Sequence, residues 1–233
     1  AKTGDNMNNY RVAIFDFDGT LCKSDEAIIT DIKTTFEHFK KTPPSDTHLK
    51  TVMENGLGMH DSLKLLNPEL MTISNSKIEE WLAVYRNYSK KNPRPMYENA
   101  ASVVESLAAE NIKIIIASNN TEKNIEKALK ECKIYKHIDL ILGISDQYPL
   151  KPHPDIFNHH ILPKYAAFPV DSFLMIGDTA TDLQFAQNIG IDSCWAKYGI
   201  GNSDDCDALI PNYTIANITD VLPIVLGTKS HIK

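Results

Sequence analysis

Five short apolar runs alternate with segments of helical spacing, and this alternation constrains the fold more than any other feature of the chain. The runs cover residues 11–15, 112–117, 139–142, 172–176 and 192–196. Runs this short and this continuously apolar suit strands buried on both faces, as in a parallel sheet. Between them, residues 97–110 carry Val103, Val104 and Leu107, and residues 122–132 carry Ile125, Ala128, Leu129 and Cys132 at the spacing of one helix face. Residues 155–162 and 181–189 also read as helices, the latter closed by Gly190. Strand and helix in turn predict an α/β fold built on a doubly wound parallel sheet.

One interval breaks the rhythm. About 95 residues separate the first run from the second, whereas such connections usually take roughly a dozen or two, helix included. Residues 25–41 place Ile28, Ile29, Ile32, Phe36 and Phe39 on one helical face, and residues 76–90 do the same with Ile78, Trp81, Leu82, Tyr85 and Tyr88. Shorter helices are expected at 46–54 and 61–66, on either side of Gly56-Leu57-Gly58. The interval therefore predicts a small all-helical domain at 23–94, inserted into a core formed by 7–22 and 95–233. Residues 1–6, which precede Met7, are set aside as an added extension.

With 233 residues, 42% apolar and 23% charged, the chain is long enough to bury a sizeable core and leaves little room for global disorder. A net charge of −6 without a Lys/Arg cluster argues against nucleic acid as a partner. Cys22, Cys132, Cys194 and Cys206 lie far apart, which indicates reduced thiols rather than a zinc site or disulfide framework. The apolar run Ile114-Ile115-Ile116-Ala117 is far too short to span a bilayer, and no apolar signal core stands near the start. A soluble, cytoplasmic protein with no membrane partner is expected, as a monomer or weak homodimer.

Ligands of open α/β sheets sit outside the carboxyl ends of the strands, and that is where the reactive residues fall. The first run ends in Asp16-Phe17-Asp18, the second in Ser118-Asn119-Asn120 and the fourth in Gly177-Asp178, with Asp182 four residues on; Lys151-Pro152 follows the third. Four carboxylates against one ammonium leave a local charge of about −3, which like-charge repulsion tolerates only with a proton or a cation. Oxygen ligands of this kind suit Mg²⁺. An anionic substrate then becomes acceptable, and phosphate is the natural guest of Lys151, the Ser118 hydroxyl and turn amides. A calcium loop, which also opens with Asp-x-Asp, fails here because Thr20, Leu21 and Ala27 occupy its fifth, sixth and twelfth positions. Taken singly, each element has an ordinary reading as a turn, an N-cap or a solvated charge. Together, each at a strand end, they predict one shared site.

These residues resemble the haloacid dehalogenase superfamily, in particular its phosphoglycolate phosphatase-like phosphatases with a helical C1-type cap inserted after the first motif. The likeness rests on D-x-D-G-T at Asp16 to Thr20, an apolar run ending in Ser118-Asn119, K-P-x-P at Lys151 to Pro154, and G-D-x-x-x-D at Gly177 to Asp182. It extends over nearly the whole chain, including Tyr198-Gly199-Ile200-Gly201.

The resemblance implies a phosphoric monoester hydrolase acting on a small-molecule phosphate ester. Asp16 would be the nucleophile, forming an aspartyl-phosphate, and Asp18 the acid and base. Lys151, Ser118 and the Asn119 amide would hold the phosphoryl oxygens. Mg²⁺ would be held by Asp16, Asp178, Asp182 and the backbone carbonyl of Asp18. Dehalogenase members lack the second aspartate, so Asp18 points to phosphoryl transfer. Phosphoglycolate phosphatases often carry T-N-K where this chain has Ser118-Asn119-Asn120, a departure that bears on substrate. In the cap, Met59 and His60 are candidates for substrate specificity; His153, His159 and His160 are given no catalytic role. Two alternatives share the architecture: a sugar phosphomutase, and a phospho-accepting signalling module that has no use for Asp18 or a lid.

Overall fold

The computed structural model describes residues 9–72 and 74–227. Expectations touching residues 1–8, 73 and 228–233, among them the added extension and the outer ends of the core, lie outside the described residues. Six strands form one sheet: β1 (Val12–Phe15), β2 (Lys113–Ala117), β3 (Leu140–Leu142), β4 (Phe173–Gly177), β5 (Asp192–Ala196) and β6 (Tyr213–Ile215). Every neighbouring pair is parallel, in the order β3-β2-β1-β4-β5-β6. This is the doubly wound α/β sheet expected, with one strand more than the apolar runs predict. β6 is three residues long and exposes Thr214, so it leaves too short a run to register as a strand.

The continuous apolarity of β1 has a direct cause. Ala13 and Phe15 face a core shared with Val103, Val104, Leu107 and Ile125, while Val12 and Ile14 face another shared with Phe157, Phe173 and Phe185. Alternate residues point to opposite faces and both faces are covered, so neither position can be polar. At about 1.5–3 kcal/mol per large side chain fully buried, these two layers dominate the sheet's stability.

Five of the helices that follow β1 make up the insertion: α1 (Asp25–His38), α2 (Asp46–Met53), α3 (Met59–Leu66), α4 (Glu69–Thr72) and α5 (Asn75–Ser89). They bury a separate cluster centred on Ile32, Phe36, Leu49, Leu63, Trp81 and Leu82. Phe39 stacks on Trp81 with ring centroids 4.5 Å apart, and Phe36 meets the same ring edge-on at 4.9 Å, which ties α1 to α5. The outgoing and returning strands of chain meet where Lys23 N–H donates to the Pro95 carbonyl (2.8 Å) and Tyr97 N–H to the Leu21 carbonyl (2.9 Å).

Beyond the insertion come α6 (Ala100–Ala109), α7 (Glu122–Glu131), α8 (Ala180–Ile189), α9 (Ser203–Ala208) and α10 (Val221–Leu226). The helix predicted at 155–162 is wound instead as a π-helical stretch, Ile156–Ile161, followed by a 3-10 turn at Leu162–Tyr165. Pro163 has no N–H with which to continue an α-helical ladder. Among the described residues no helix is long and apolar enough to cross a membrane.

Candidate active site

Strand order reverses between β1 and β4, where a doubly wound sheet opens its crevice. Asp16 leaves β1 with its N–H still bonded to the Ile176 carbonyl (2.8 Å), and Asp178 follows β4 directly. The chain then turns sharply: the Phe17 carbonyl accepts from the N–H groups of Thr20, Leu21 and Cys22 at 3.3, 3.0 and 2.9 Å. Gly19 sits in this turn at φ +82, and a Cβ there would stand 2.1 Å from Asp178 Oδ2. Both the backbone conformation and the close approach require glycine.

Lys151 is the centre of the cluster. Its Nζ donates to Asp16 Oδ1 at 2.9 Å and to Asp182 Oδ1 at 2.6 Å. The residue is only 4% exposed, which rules out a solvated loop charge. Asp182 is aimed by a capping box at the start of α8: its Oδ2 accepts from both the N–H and the hydroxyl of Thr179, each at 3.0 Å. Asp178 accepts from the Thr20 hydroxyl (3.0 Å) through Oδ1 and from the Ile200 N–H (2.8 Å) through Oδ2.

Three buried carboxylates, Asp16, Asp178 and Asp182, thus bring one oxygen each within 4.8 Å of the others. Three carboxylates against the single Lys151 ammonium leave two negative charges uncompensated. Burial, then the Asp182 charge, pushes the Asp16 carboxyl up to about 7, against the pull of Lys151. Asp178 is driven well above the usual carboxylate range by burial and by Asp16 and Asp182. Burial alone would lower the proton affinity of Lys151, but Asp16 and Asp182 more than offset it, so the ammonium is retained. A site that raises its own carboxylates in this way fits a divalent, oxygen-seeking cation.

Asp18 stands apart from that cluster. Its Oδ2 accepts from the Asn120 side-chain amide at 2.7 Å, while its Oδ1 is buried without a partner among the described residues. Ser118 is buried, and its hydroxyl oxygen accepts from the Asn120 N–H at 3.2 Å. Asn119 spends its side chain on neighbouring backbone. Its amide nitrogen donates to the carbonyls of Lys151 (3.3 Å) and Gly56 (3.1 Å), and its Oδ1 accepts from the Lys151 N–H (3.2 Å). Only its backbone amide is therefore left to face a ligand.

The order and spacing of these groups along the chain match a known pattern, and a family model described as haloacid dehalogenase-like hydrolase covers residues 13–196. The chain belongs to the haloacid dehalogenase-like hydrolase family. Among its relatives is the pyrophosphatase PpaX of Bacillus mycoides, 27% identical over 219 residues, which span 91% of this chain and 95% of the relative. Among solved structures, a haloacid dehalogenase-like hydrolase from Streptococcus pneumoniae superposes with a TM-score of 0.77 at 22% identity, covering 92% of this chain and 97% of its own. A predicted phosphoglycolate phosphatase from Haemophilus somnus reaches 0.81 at 19% identity, covering 94% and 99%. These two likenesses are of fold.

In this haloacid dehalogenase-like hydrolase the site opens into a cavity of about 660 Å³ whose other wall is the helical insertion. The loop before α3 sits directly on the sheet edge: Thr181 Oγ1 donates to the Asn55 carbonyl at 2.7 Å, and Gly56, at φ +63, leaves only 2.4 Å between a would-be Cβ and Thr179 Oγ1. Met59 and His60 open α3 rather than lying in the loop, and both line the cavity. His60 Nδ1 lies 3.1 Å from Asp61 Oδ1 at a half-exposed position. Sequence reasoning gave no role to Asn120, which holds Asp18, and passed over Thr179, which aims Asp182, and the cavity-lining Arg86 and Arg94. The Asn120 position did carry a signal, since it is where this chain departs from the T-N-K that the resemblance leads one to expect.

Proposed function

We propose that this hydrolase is a Mg²⁺-dependent phosphatase that cleaves small phosphate monoesters through an aspartyl-phosphate on Asp16. The observation that carries the reading is the buried Lys151 ammonium shared between Asp16 and Asp182, with Asp178 beside them and Asp18 held separately by Asn120. Such an arrangement separates attack from proton transfer. Asp16, Asp178, Asp182 and the backbone carbonyl of Asp18 would hold the cation, which when bound offsets the charge of carboxylates and phosphoryl oxygens.

Lys151 occupies Asp16 Oδ1, so Oδ2 attacks phosphorus, and the new O–P bond forms as the bond to the leaving oxygen breaks. Asp18, entering this step protonated, gives its proton to that oxygen. It then takes a proton from water as water attacks the phosphorus, and the Asp16 carboxylate is released. Ser118 Oγ, the Asn119 amide and Lys151 steady the phosphoryl oxygens. The cap loop, bonded to the sheet edge through Asn119 and Thr181, limits the access of bulk water. The pyrophosphatase name of the relatives makes inorganic pyrophosphate one of the first substrates to test.

The expected outcome is phosphate release from p-nitrophenyl phosphate that requires Mg²⁺, is abolished by chelator, and falls by about 10⁴-fold or more in Asp16→Asn. Chelator-resistant turnover, or an Asp16→Asn enzyme near wild type, would overturn the reading.

A further inference from the structure

One wall of the active cavity belongs to a single helix face. Leu82, Tyr85, Arg86 and Ser89 of α5 line it at i, i+3, i+4 and i+7, and Arg94 of the returning segment continues it. The two arginines on this wall differ sharply in what they hold. Arg94 Nη2 donates to Asp31 Oδ2 at 2.5 Å and to Ser89 Oγ at 2.8 Å, and Asp31, fully buried in α1, also accepts from the Asn92 amide. That guanidinium is committed to the joint between α1, α5 and the returning segment.

Arg86 is uncommitted. It is exposed, lines the cavity, and its side chain forms no ion pair or hydrogen bond among the described residues. The acidic residues that also line the cavity are placed elsewhere. Glu79 is two turns earlier on α5, about 10 Å along the axis. Asp61 is engaged with His60, and Asp146 lies in the segment after β3. A guanidinium with all five donors free, facing a chamber whose opposite wall is a phosphoryl site, suits a planar anion that it can grip with two parallel hydrogen bonds.

We infer that Arg86 is a specificity-determining residue that binds a second anionic group, a carboxylate or a further phosphate, on the leaving-group side of the substrate. The inference rests on the phosphatase reading above and narrows it: the substrate class is a phosphate compound whose leaving portion carries a second anionic group of its own before cleavage. Arg86 lies in the last turn of α5, where a cation also complements the negative helix end. A test therefore has to separate recognition from helix stability.

The measurement compares kcat/KM for three substrates in wild type, Arg86→Gln and Arg86→Lys, with melting temperatures alongside. The substrates are p-nitrophenyl phosphate, whose leaving group carries no second acid, inorganic pyrophosphate, and a phosphorylated hydroxy acid. Arg86→Gln is expected to lower the ratio of the better doubly anionic substrate to the aryl ester by about tenfold or more, chiefly through KM. Arg86→Lys should recover part of it. Whichever of pyrophosphate and the hydroxy-acid ester carries the effect identifies the second group.

An equal fall for all three substrates, or a lowered melting temperature with the ratio intact, would assign Arg86 to the helix and overturn the inference. Wild type that cleaves the aryl ester but neither doubly anionic compound would overturn this inference alone. No Mg²⁺-dependent cleavage of any of the three would bring down the phosphatase reading and this one with it.

Discussion

The two walls of the cavity are built on opposite plans. At the sheet edge the groups around Lys151 are held from several sides: Asp182 has three hydrogen bonds to two partners, Asp178 has two, and Lys151 is shared by two carboxylates. On the cap wall, Met59, His60 and Arg86 are only partly buried or exposed, and Arg86 has no side-chain partner among the described residues. Chemistry that must hold atoms within a fraction of an ångström needs the first plan. Recognition of a leaving group needs donors kept free, which the second supplies.

The sharpest way to break this comparison is at Lys151. Lys151→Ala should lower kcat by about 10² to 10³-fold, and by a similar factor for every phosphate substrate, because the lost charge acts on the part all substrates share. A loss confined to one substrate would place specificity on the sheet edge and erase the distinction between the walls.

A smaller effect should appear in stability. The Asp16 carboxyl, ordinarily near 3.8, is pushed up to about 7 by burial and Asp182. The folded protein therefore binds more protons than the unfolded chain between those values. Its contribution to stability is complete below the unfolded pKa and is lost as pH rises through about 7. Without metal, the melting temperature should fall between about pH 5 and pH 8. Mg²⁺ should raise it again at the upper end, through a stabilisation of about 2.7 kcal/mol at a hundredfold excess over Kd. A metal-free melting temperature that is flat across this range would contradict the crowded-carboxylate picture.

The smallest effect is expected from the loop that joins the walls. Gly56→Ala forces a side chain into positive φ and against Thr179 Oγ1, at a cost of about 1 kcal/mol. Activity should drop several-fold while the pH response of stability is unchanged. A drop as large as that of Lys151→Ala would mean that the loop carries chemistry.

How much of this was legible follows the same division. Asp16, Asp18, Ser118, Asp178 and Asp182 announced themselves because each closes or closely follows an apolar run, and Lys151 because it lies in the loop after the third; strand ends of a doubly wound sheet converge on one crevice. The sheet was legible for the same reason, up to β6, whose three residues and exposed Thr214 leave no run to detect. Asn120 was hidden because asparagine is ordinary in a turn, and only the fold brings it 2.7 Å from a residue 102 positions away. Arg86 was hidden for a different reason. Its spacing on α5 with Leu82, Tyr85 and Ser89 is the spacing of any packed helix face, and sequence alone does not say that this face looks into a chamber. The π-helical winding of Ile156–Ile161 was equally invisible, since Ile156, Phe157 and Ile161 are buried together and suit an α-helix as well.

The central claim is that Asp16 becomes covalently phosphorylated during turnover, and it can be tested by chemical trapping. Wild type and Asp16→Asn are mixed with Mg²⁺ and p-nitrophenyl phosphate, quenched with borohydride within a turnover, digested and read by mass spectrometry. Reductive capture of an acyl-phosphate would convert Asp16, and no other aspartate, to homoserine, with the product absent from Asp16→Asn. Capture at another carboxylate, or rapid phosphate release with Asp16 untouched under conditions that trap a known acyl-phosphate, would contradict the account.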